Sequence, residues 1–170
     1  MAVRLDGPGA FGLLDPYGGL ADIKAGLVRV LHEKSFEDDP TRLFRAARFA
    51  GRFGWRLETG TLELASAAVK AGLPGLLSRE RLRNEFLKIL EEKEPRPALE
   101  LLRGLGALSF IHPGLDFSGE ALKGSGSRVR LAGIARRMGG KGGEFLSGLN
   151  LSRRETAELL LQAGLTRERR

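Results

Sequence analysis

The sequence predicts a mainly α fold preceded by a short β-hairpin. Apolar residues recur at helical spacing through most of residues 39–163, between residues that cap or break helices. The first 14 residues instead hold two short apolar runs on either side of an Asp-Gly-Pro-Gly cluster, which favours a turn. A length of 170 residues and a hydrophobic content of 42% allow a sizeable buried core.

The hairpin is expected over residues 2–5 and 11–14. Because an isolated pair of strands is only marginally stable in water, we expect this hairpin to belong to a larger sheet. A turn follows at residues 15–19 (DPYGG), and residues 20–33 are expected to form one or two short elements.

Four helices are predicted between residues 39 and 105. The first has Asp39 as its N-cap, Pro40 at its first position and Gly54 at its end. Its core stripe consists of Leu43, Ala46, Ala47, Ala50 and Phe53. The other three helices are expected at residues 59–71, after an N-cap at Ser78, and at residues 97–105.

The last part of the chain is predicted to be helical again after a linker. Residues 116–127 (DFSGEALKGSGS) have the glycine and serine content of a linker. Two helices are expected at residues 128–138 and 153–163. Between them, residues 139–143 (GGKGG) predict a flexible break.

The excess positive charge of the chain lies in its last 48 residues. Residues 1–122 carry 17 basic and 17 acidic side chains, whereas residues 123–170 carry 11 basic and 4 acidic ones. Such a segment favours a polyanion, most simply nucleic acid, or an anionic membrane surface as partner, and a basic tail without a partner is the alternative. The candidate RNA-binding residues are Arg128, Arg130, Arg136, Arg137, Lys141, Arg153 and Arg154.

Several classes of protein are excluded by composition. The sequence has no cysteine, which excludes disulfides, cysteine-ligated metals and thiol catalysis. Its two histidines are far apart, so a histidine-based metal site is not expected. Neither a secretory signal nor an apolar run of about 18 residues is present in the sequence, and we expect a cytoplasmic protein without a membrane partner.

The first predicted helix carries a ridge of arginines beside its apolar stripe. Arg42, Arg45, Arg48 and Arg52 follow one another at helical spacing. Asp39 precedes Arg42 by three residues, so a carboxylate acceptor and a guanidinium donor can face a cytosine or adenine edge together. In the alternative interpretation, Asp39 only caps the helix and forms a local ion pair with Arg42.

Three stretches of the sequence resemble, in order, motifs of the class II tRNA nucleotidyltransferases, the family of CCA-adding enzymes and bacterial poly(A) polymerases. Residues 14–23 (LDPYGGLADI) resemble the hinge motif D-P-F-G-G-x-x-D-L. Residues 38–49 (DDPTRLFRAARF) resemble the template motif E-D-x-x-R-x-x-R-x-x-R-F, with Asp38 in place of Glu. Residues 78–90 (SRERLRNEFLKIL) resemble the neck motif S-x-E-R-I-x-x-E-L-x-K-L-L. The resemblance covers residues 1–115 and is weak beyond them.

This resemblance implies a role for each matching residue. Asp39 and Arg42 would select CTP or ATP by pairing with the base edge, and Arg45 and Arg48 would contact the nucleotide. The neck residues Glu80, Arg81 and Glu85 would support the helix that carries these four. Because Arg81 and Glu85 are four residues apart, a local ion pair is the alternative for them. The implied partners are tRNA or another RNA 3′ end, together with CTP and ATP.

The resemblance also implies that the catalytic head of the family is missing. In the family a D-x-D pair in a β-sheet head holds two metal ions, and this sequence contains no D-x-D. We therefore expect a truncated chain that has neither catalytic residues nor metal ligands and is inactive without a head, which a separate chain could supply. No cofactor is expected for the chain itself; Mg²⁺ with ATP or CTP is expected only for the complete enzyme.

The expected organisation follows the motifs. Residues 1–33 would be a remnant of the head with its hinge, residues 34–115 the helical neck, residues 116–127 the linker and residues 128–170 the basic helical body. Two other functions remain open from the sequence. One is a separate RNA-binding helical module without nucleotide selection, and the other is a helical protein-interaction domain.

Overall fold

The fold is mainly helical, which confirms the predicted fold class. The computed structural model describes residues 2–3, 7 and 12–165. Its α-helices are α1 (Gly19–Ala25), α2 (Ser35–Asp38), α3 (Thr41–Phe53), α4 (Thr59–Lys70), α5 (Arg79–Glu91), α6 (Arg96–Gly104), α7 (Ser127–Met138), α8 (Gly142–Gly148) and α9 (Arg153–Ala163). Among these helices, none is both long and apolar enough to cross a membrane.

The strands in the described residues are only two residues long. Strand β1 (Ala2–Val3) pairs antiparallel with β2 (Leu13–Leu14), as the predicted hairpin requires. The predicted turn of that hairpin lies outside the described residues except for Gly7. Strand β3 (Leu27–Val28) pairs in parallel with β4 (Arg56–Leu57). This second pair was not predicted, because two residues are too few to show an alternating pattern.

Helix α3 ends at the predicted glycine and begins at Thr41, one residue later than predicted. Asp39 has an extended backbone, and its carboxylate accepts the backbone N–H of Thr41 at 3.1 Å, which is the expected N-cap interaction. At the other end Gly54 adopts a left-handed conformation with φ of 66°. Phe53, predicted in the core stripe, is instead about half exposed.

Helix α3 packs into the core between α5 and α6. Leu43, Phe44 and Ala47 are almost completely buried. A Cβ atom at Gly51 would lie 2.8 Å from the backbone nitrogen of Ala98, so this glycine lets α3 and α6 approach closely. The rest of the core continues from α5 and α6 into α7, α8 and α9 without interruption.

Two short helices were missed by the sequence analysis. Helix α2 is a single turn, too short for a periodic pattern, and it is anchored by the buried side chain of Phe36. The prediction of a flexible break at residues 139–143 is wrong. This segment forms a 3₁₀ turn (Gly139–Lys141) that leads into α8. A Cβ atom at Gly142 would overlap the carbonyl oxygen of Ala135, so this glycine allows α8 to approach α7 closely.

The segment at residues 116–127 joins the two helical parts without a helix or strand of its own until α7 begins at Ser127. It nevertheless lies against the core, since the side chains of Phe117, Ala121 and Leu122 are buried. The glycine and serine content therefore predicted a connecting segment, but it did not predict that this segment packs against the core.

Candidate functional site

Asp39 lies at the junction of α2 and α3, where three hydrogen bonds fix one of its carboxylate oxygens. Oδ1 accepts the backbone N–H of Thr41 at 3.1 Å, the hydroxyl of Thr41 at 2.7 Å and Nη2 of Arg81 at 2.9 Å. Within the described residues Oδ2 accepts no hydrogen bond. About a quarter of the side chain is exposed, so Oδ2 can accept a hydrogen bond from a ligand.

The environment of Asp39 keeps its carboxylate ionised. Partial burial alone would raise the pKa of Asp39. The hydrogen bonds from Thr41 and the charges of Arg81 and Arg42 outweigh this effect and lower the pKa below its usual value. Asp39 is therefore a hydrogen-bond acceptor at neutral pH.

Arg42 is held beside Asp39 by the preceding helix. Its Nη1 donates to the backbone oxygen of Ser35 at 3.2 Å and to the Ser35 hydroxyl at 3.0 Å. The ion pair of Asp39 found in the described residues is with Arg81, not with Arg42. Arg42 thus keeps donors available at the end of α3 where Asp39 presents its free oxygen.

The other predicted arginines of α3 have different surroundings. Arg45 is exposed and makes no hydrogen bond or ion pair within the described part of the chain. Arg48 is mostly buried, donates to Glu92 at 3.1 Å and stacks over the ring of Phe49. Arg52, four residues on, binds both oxygens of Glu92 at 2.7 and 2.6 Å. Of the two arginines expected to contact the nucleotide, only Arg45 has an unoccupied guanidinium.

The three predicted neck residues of α5 also differ in their contacts. Arg81 reaches Asp39 and so connects α5 to the start of α3. The alternative local pair of Arg81 with Glu85 is not formed, because Glu85 pairs with Lys88 at 2.6 Å. Glu80 is exposed and lies 4.0 Å from Arg83.

Among the candidate RNA-binding residues, Arg130 differs from the others because it is buried. Its guanidinium is buried and donates five hydrogen bonds to backbone carbonyls, which are those of Leu90, Glu92, Lys93, Leu122 and Gly124. The helical period places this residue on the inner face of α7, where its hydrogen bonds join α7 to the end of α5 and to the loop before α7.

The remaining basic residues of the body are exposed, but several have partners. Arg128 and Arg154 both bind Glu158, Arg137 binds Asp116, and Arg136 donates to the carbonyls of Gln162 and Ala163. Lys141 and Arg153 have no such partner among the described residues. Because ion pairs at the surface are weak, the paired arginines can also exchange a carboxylate for a phosphate.

Two residues that organise the site were missed by the sequence analysis. Ser35 orients Arg42, and Glu92 binds Arg48 and Arg52 from the end of α5. Glu92 lies 40 residues or more from both arginines, and no local spacing could have indicated the pairing. No group of residues suited to a metal ion occurs in the described ranges.

Replacing Glu92 with glutamine is expected to reduce the free energy of unfolding by about 1–2 kcal/mol at pH 7, because it leaves Arg48 without its anion. The hydrogen bond from Arg52 is the main cause of the lowered pKa of Glu92, although burial opposes it. Because the pKa of Glu92 is lower in the folded state than in the unfolded state, its ion pairs stabilise the fold at any pH above the unfolded-state pKa. This stabilisation is lost as the pH falls through the folded-state pKa.

The difference between wild type and Glu92→Gln should therefore be largest at neutral pH and shrink below about pH 4. Urea denaturation at pH 7 and pH 3.5 measures this difference. Equal differences at the two pH values would contradict the assignment of the ion pair.

Comparisons with known proteins point to one group of enzymes. A family model described as "Probable RNA and SrmB- binding site of polymerase A" matches residues 76–118. An "A-adding tRNA nucleotidyltransferase" of Geobacter sulfurreducens is 42% identical over 123 residues, which cover 72% of this chain and 14% of the relative. A "Multifunctional CCA protein" of Paracidovorax citrulli is 42% identical over 117 residues, or 68% of this chain and 28% of the relative.

The structural comparison agrees. A crystal structure of a tRNA nucleotidyltransferase complexed with a primer tRNA and an incoming ATP analog matches with a TM-score of 0.62 and 30% identity. The match covers 93% of this chain and 48% of that structure. This chain thus spans only a minor part of the curated relatives and about half of the solved one.

Proposed function

The chain belongs to the class II tRNA nucleotidyltransferase family, whose helical C-terminal region it matches, and we propose that it selects the nucleotide added to an RNA 3′ end. Asp39 and Arg42 would choose CTP or ATP, and the helical body would bind the RNA, with tRNA as the first candidate. The observation that carries this proposal is the unoccupied oxygen of Asp39 beside the donors of Arg42.

The hydrogen-bonding pattern of the bases supports this choice of nucleotide. Cytosine and adenine each present an amino donor next to a ring-nitrogen acceptor. An ionised Asp39 can accept from the amino group while Arg42 donates to the ring nitrogen. Uracil and guanine present the opposite order, with a carbonyl acceptor next to an N–H donor. Each of these bases would therefore place its carbonyl oxygen against the carboxylate of Asp39 and its N–H group against the donors of Arg42. The same two side chains can therefore favour CTP and ATP over UTP and GTP.

Ordered surroundings make this selection possible. Thr41 and Arg81 hold the carboxylate of Asp39, and Ser35 holds the guanidinium of Arg42. A bidentate contact that discriminates between bases requires both groups in fixed positions. Arg45, exposed one turn further along α3, would contact a phosphate of the same nucleotide.

We propose that the transfer reaction itself needs a catalytic head. Nucleotidyl transfer uses carboxylates that hold metal ions, and the described acidic residues form no such group. In this proposal the head would hold the Mg²⁺ that accompanies ATP or CTP. The contribution of the chain is recognition of the base and of the RNA.

The test joins this chain to the catalytic head of the Geobacter sulfurreducens relative and measures addition to a tRNA that lacks its 3′ end. We expect Asp39→Ala and Arg42→Ala to reduce discrimination of CTP and ATP against UTP and GTP by about tenfold to a hundredfold. Their affinity for tRNA should change little. Glu37→Ala, an exposed acidic residue in α2, is the matched control for Asp39→Ala.

Two outcomes would count against the proposal. Unchanged nucleotide preference in both variants, with tRNA binding intact, would support a separate RNA-binding module without nucleotide selection. Absence of tRNA binding by the wild-type chain at physiological salt would instead support a protein-interaction domain. In the expected case, log Kd for tRNA rises linearly with log salt, and Arg153→Ala reduces that slope by about 1.

A further inference from the structure

A polar pocket of about 400 Å³ lies at the end of α5, opposite the end that contacts Asp39. It is enclosed by the connection from α5 to α6 and by the loop at residues 119–124. Four basic side chains line it, those of Lys93, Arg96, Lys123 and Arg130, together with the acidic side chains of Glu94 and Glu120.

The guanidinium of Arg130 places a positive charge at the base of this pocket. Its five hydrogen bonds all go to neutral carbonyl oxygens, and it forms no ion pair within the described residues. The carboxylate of Glu91 accepts the backbone N–H of Ser127 at 2.9 Å. Hydrogen bonds from Ser127 and, to a smaller extent, the charge of Arg130 lower the pKa of Glu91, but Glu91 and Arg130 form no ion pair within the described residues. A buried charge without a directly paired counter-ion is costly, and an anion in the adjoining pocket would offset part of that cost.

The mouth of the pocket offers further donors. Lys93 is exposed and has no hydrogen-bond partner for its ammonium group among the described residues. Arg96 donates to the carbonyl of Gly119 at 3.0 Å, which holds its guanidinium at the pocket. Lys123 pairs only with Glu120, and both side chains are at least three-quarters exposed, so this pair is readily broken.

We infer that this pocket binds a phosphate group. Its volume exceeds that of one phosphate and admits either a phosphodiester of an RNA backbone or a free phosphate or pyrophosphate ion. Forked and ammonium donors over a buried guanidinium are the arrangement that binds phosphate oxygens. This site is separate from Asp39 and Arg42, and it does not require that they select nucleotides.

The experiment uses the full chain and two kinds of ligand. One is pyrophosphate, with binding measured by calorimetry. The other is a single-stranded RNA of 12 nucleotides without terminal phosphates, with binding measured by fluorescence anisotropy. The double variant Lys93→Gln/Lys123→Gln should bind at least one of them about tenfold more weakly. The control is Lys24→Gln/Lys70→Gln, which removes the same charge from exposed lysines elsewhere.

A second variant tests the pocket by strengthening it. Glu94→Gln/Glu120→Gln removes the two acidic groups and frees Lys123, and should tighten binding by about threefold to tenfold. Partial unfolding would disrupt the pocket, so it should not produce a gain of affinity for pyrophosphate. Circular dichroism of all variants checks that they are folded.

The outcomes separate the two sources of phosphate. If only pyrophosphate binding depends on Lys93 and Lys123, the ligand is a free ion; if only RNA binding does, it is a backbone phosphate. If neither affinity responds more than in the control, the inference is wrong. Lys93→Gln/Lys123→Gln should leave the preference for CTP and ATP over UTP and GTP unchanged in the enzyme joined to a head, so failure here is distinct from failure of nucleotide selection.

Discussion

Replacing Arg130 with methionine is expected to lower the free energy of unfolding by about 3–5 kcal/mol. Methionine can fill much of the volume of the arginine, but it cannot donate hydrogen bonds. The carbonyls of residues 90, 92 and 93 at the end of α5, and of residues 122 and 124 before α7, would lose their donor. Backbone carbonyls cannot be replaced by apolar groups, so the cost of leaving them unsatisfied remains.

Urea denaturation of wild type and variant measures this effect. Arg128→Met is the matched control, because it lies two residues earlier in the same helix and is exposed in an ion pair with Glu158. That substitution should cost at most about 1 kcal/mol. Similar costs for the two variants would show that the carbonyl contacts of Arg130 do not hold the two segments together.

The two ends of α5 show how the site depends on long-range contacts. At one end Arg81 fixes Asp39, and at the other Glu92 fixes Arg48 and Arg52 of the same helix α3. The backbone after α5 is in turn fixed by Arg130 of α7. The orientation of α3 is therefore determined by residues far from it in sequence, one of which also supports the proposed phosphate pocket.

Local sequence signals were sufficient for the helices that have caps. Asp39 and Ser78 begin helices by accepting backbone N–H groups, and such residues can be recognised without knowledge of the fold. The single turn of α2 and the strands β3 and β4 carry no such signal. Their conformation depends on packing around Phe36 and on pairing between distant segments.

The candidate site was predictable only in part. The spacing of Asp39 and Arg42 indicated a shared end of one helix, and the structure brings them together there. The same spacing could not distinguish Arg45, which is exposed, from Arg48, whose guanidinium is bound by Glu92. Nor could the net charge of the last 48 residues distinguish Arg153 at the surface from Arg130 in the interior, because each arginine adds one positive charge wherever it lies.

Replacing Gly133 with alanine is expected to reduce the free energy of unfolding by about 3 kcal/mol. Its backbone is compatible with alanine, which is the better helix former by about 1 kcal/mol, so helix propensity alone predicts the opposite sign. A Cβ atom there would overlap the carbonyl oxygen of Ala121 and lie 3.1 Å from its carbonyl carbon. Because both partners are backbone, the loop at residues 119–124 must move away from α7.

The control is Gly148→Ala at the end of α8, where a Cβ atom would meet nothing within 4 Å. It should leave stability unchanged or raise it by up to about 1 kcal/mol. Thermal and urea denaturation compare the two variants. If Gly133→Ala is as stable as Gly148→Ala, the loop does not lie against α7 as described. If it is destabilised, displacement of the loop should also weaken phosphate binding, because Gly119, Glu120 and Lys123 line that pocket.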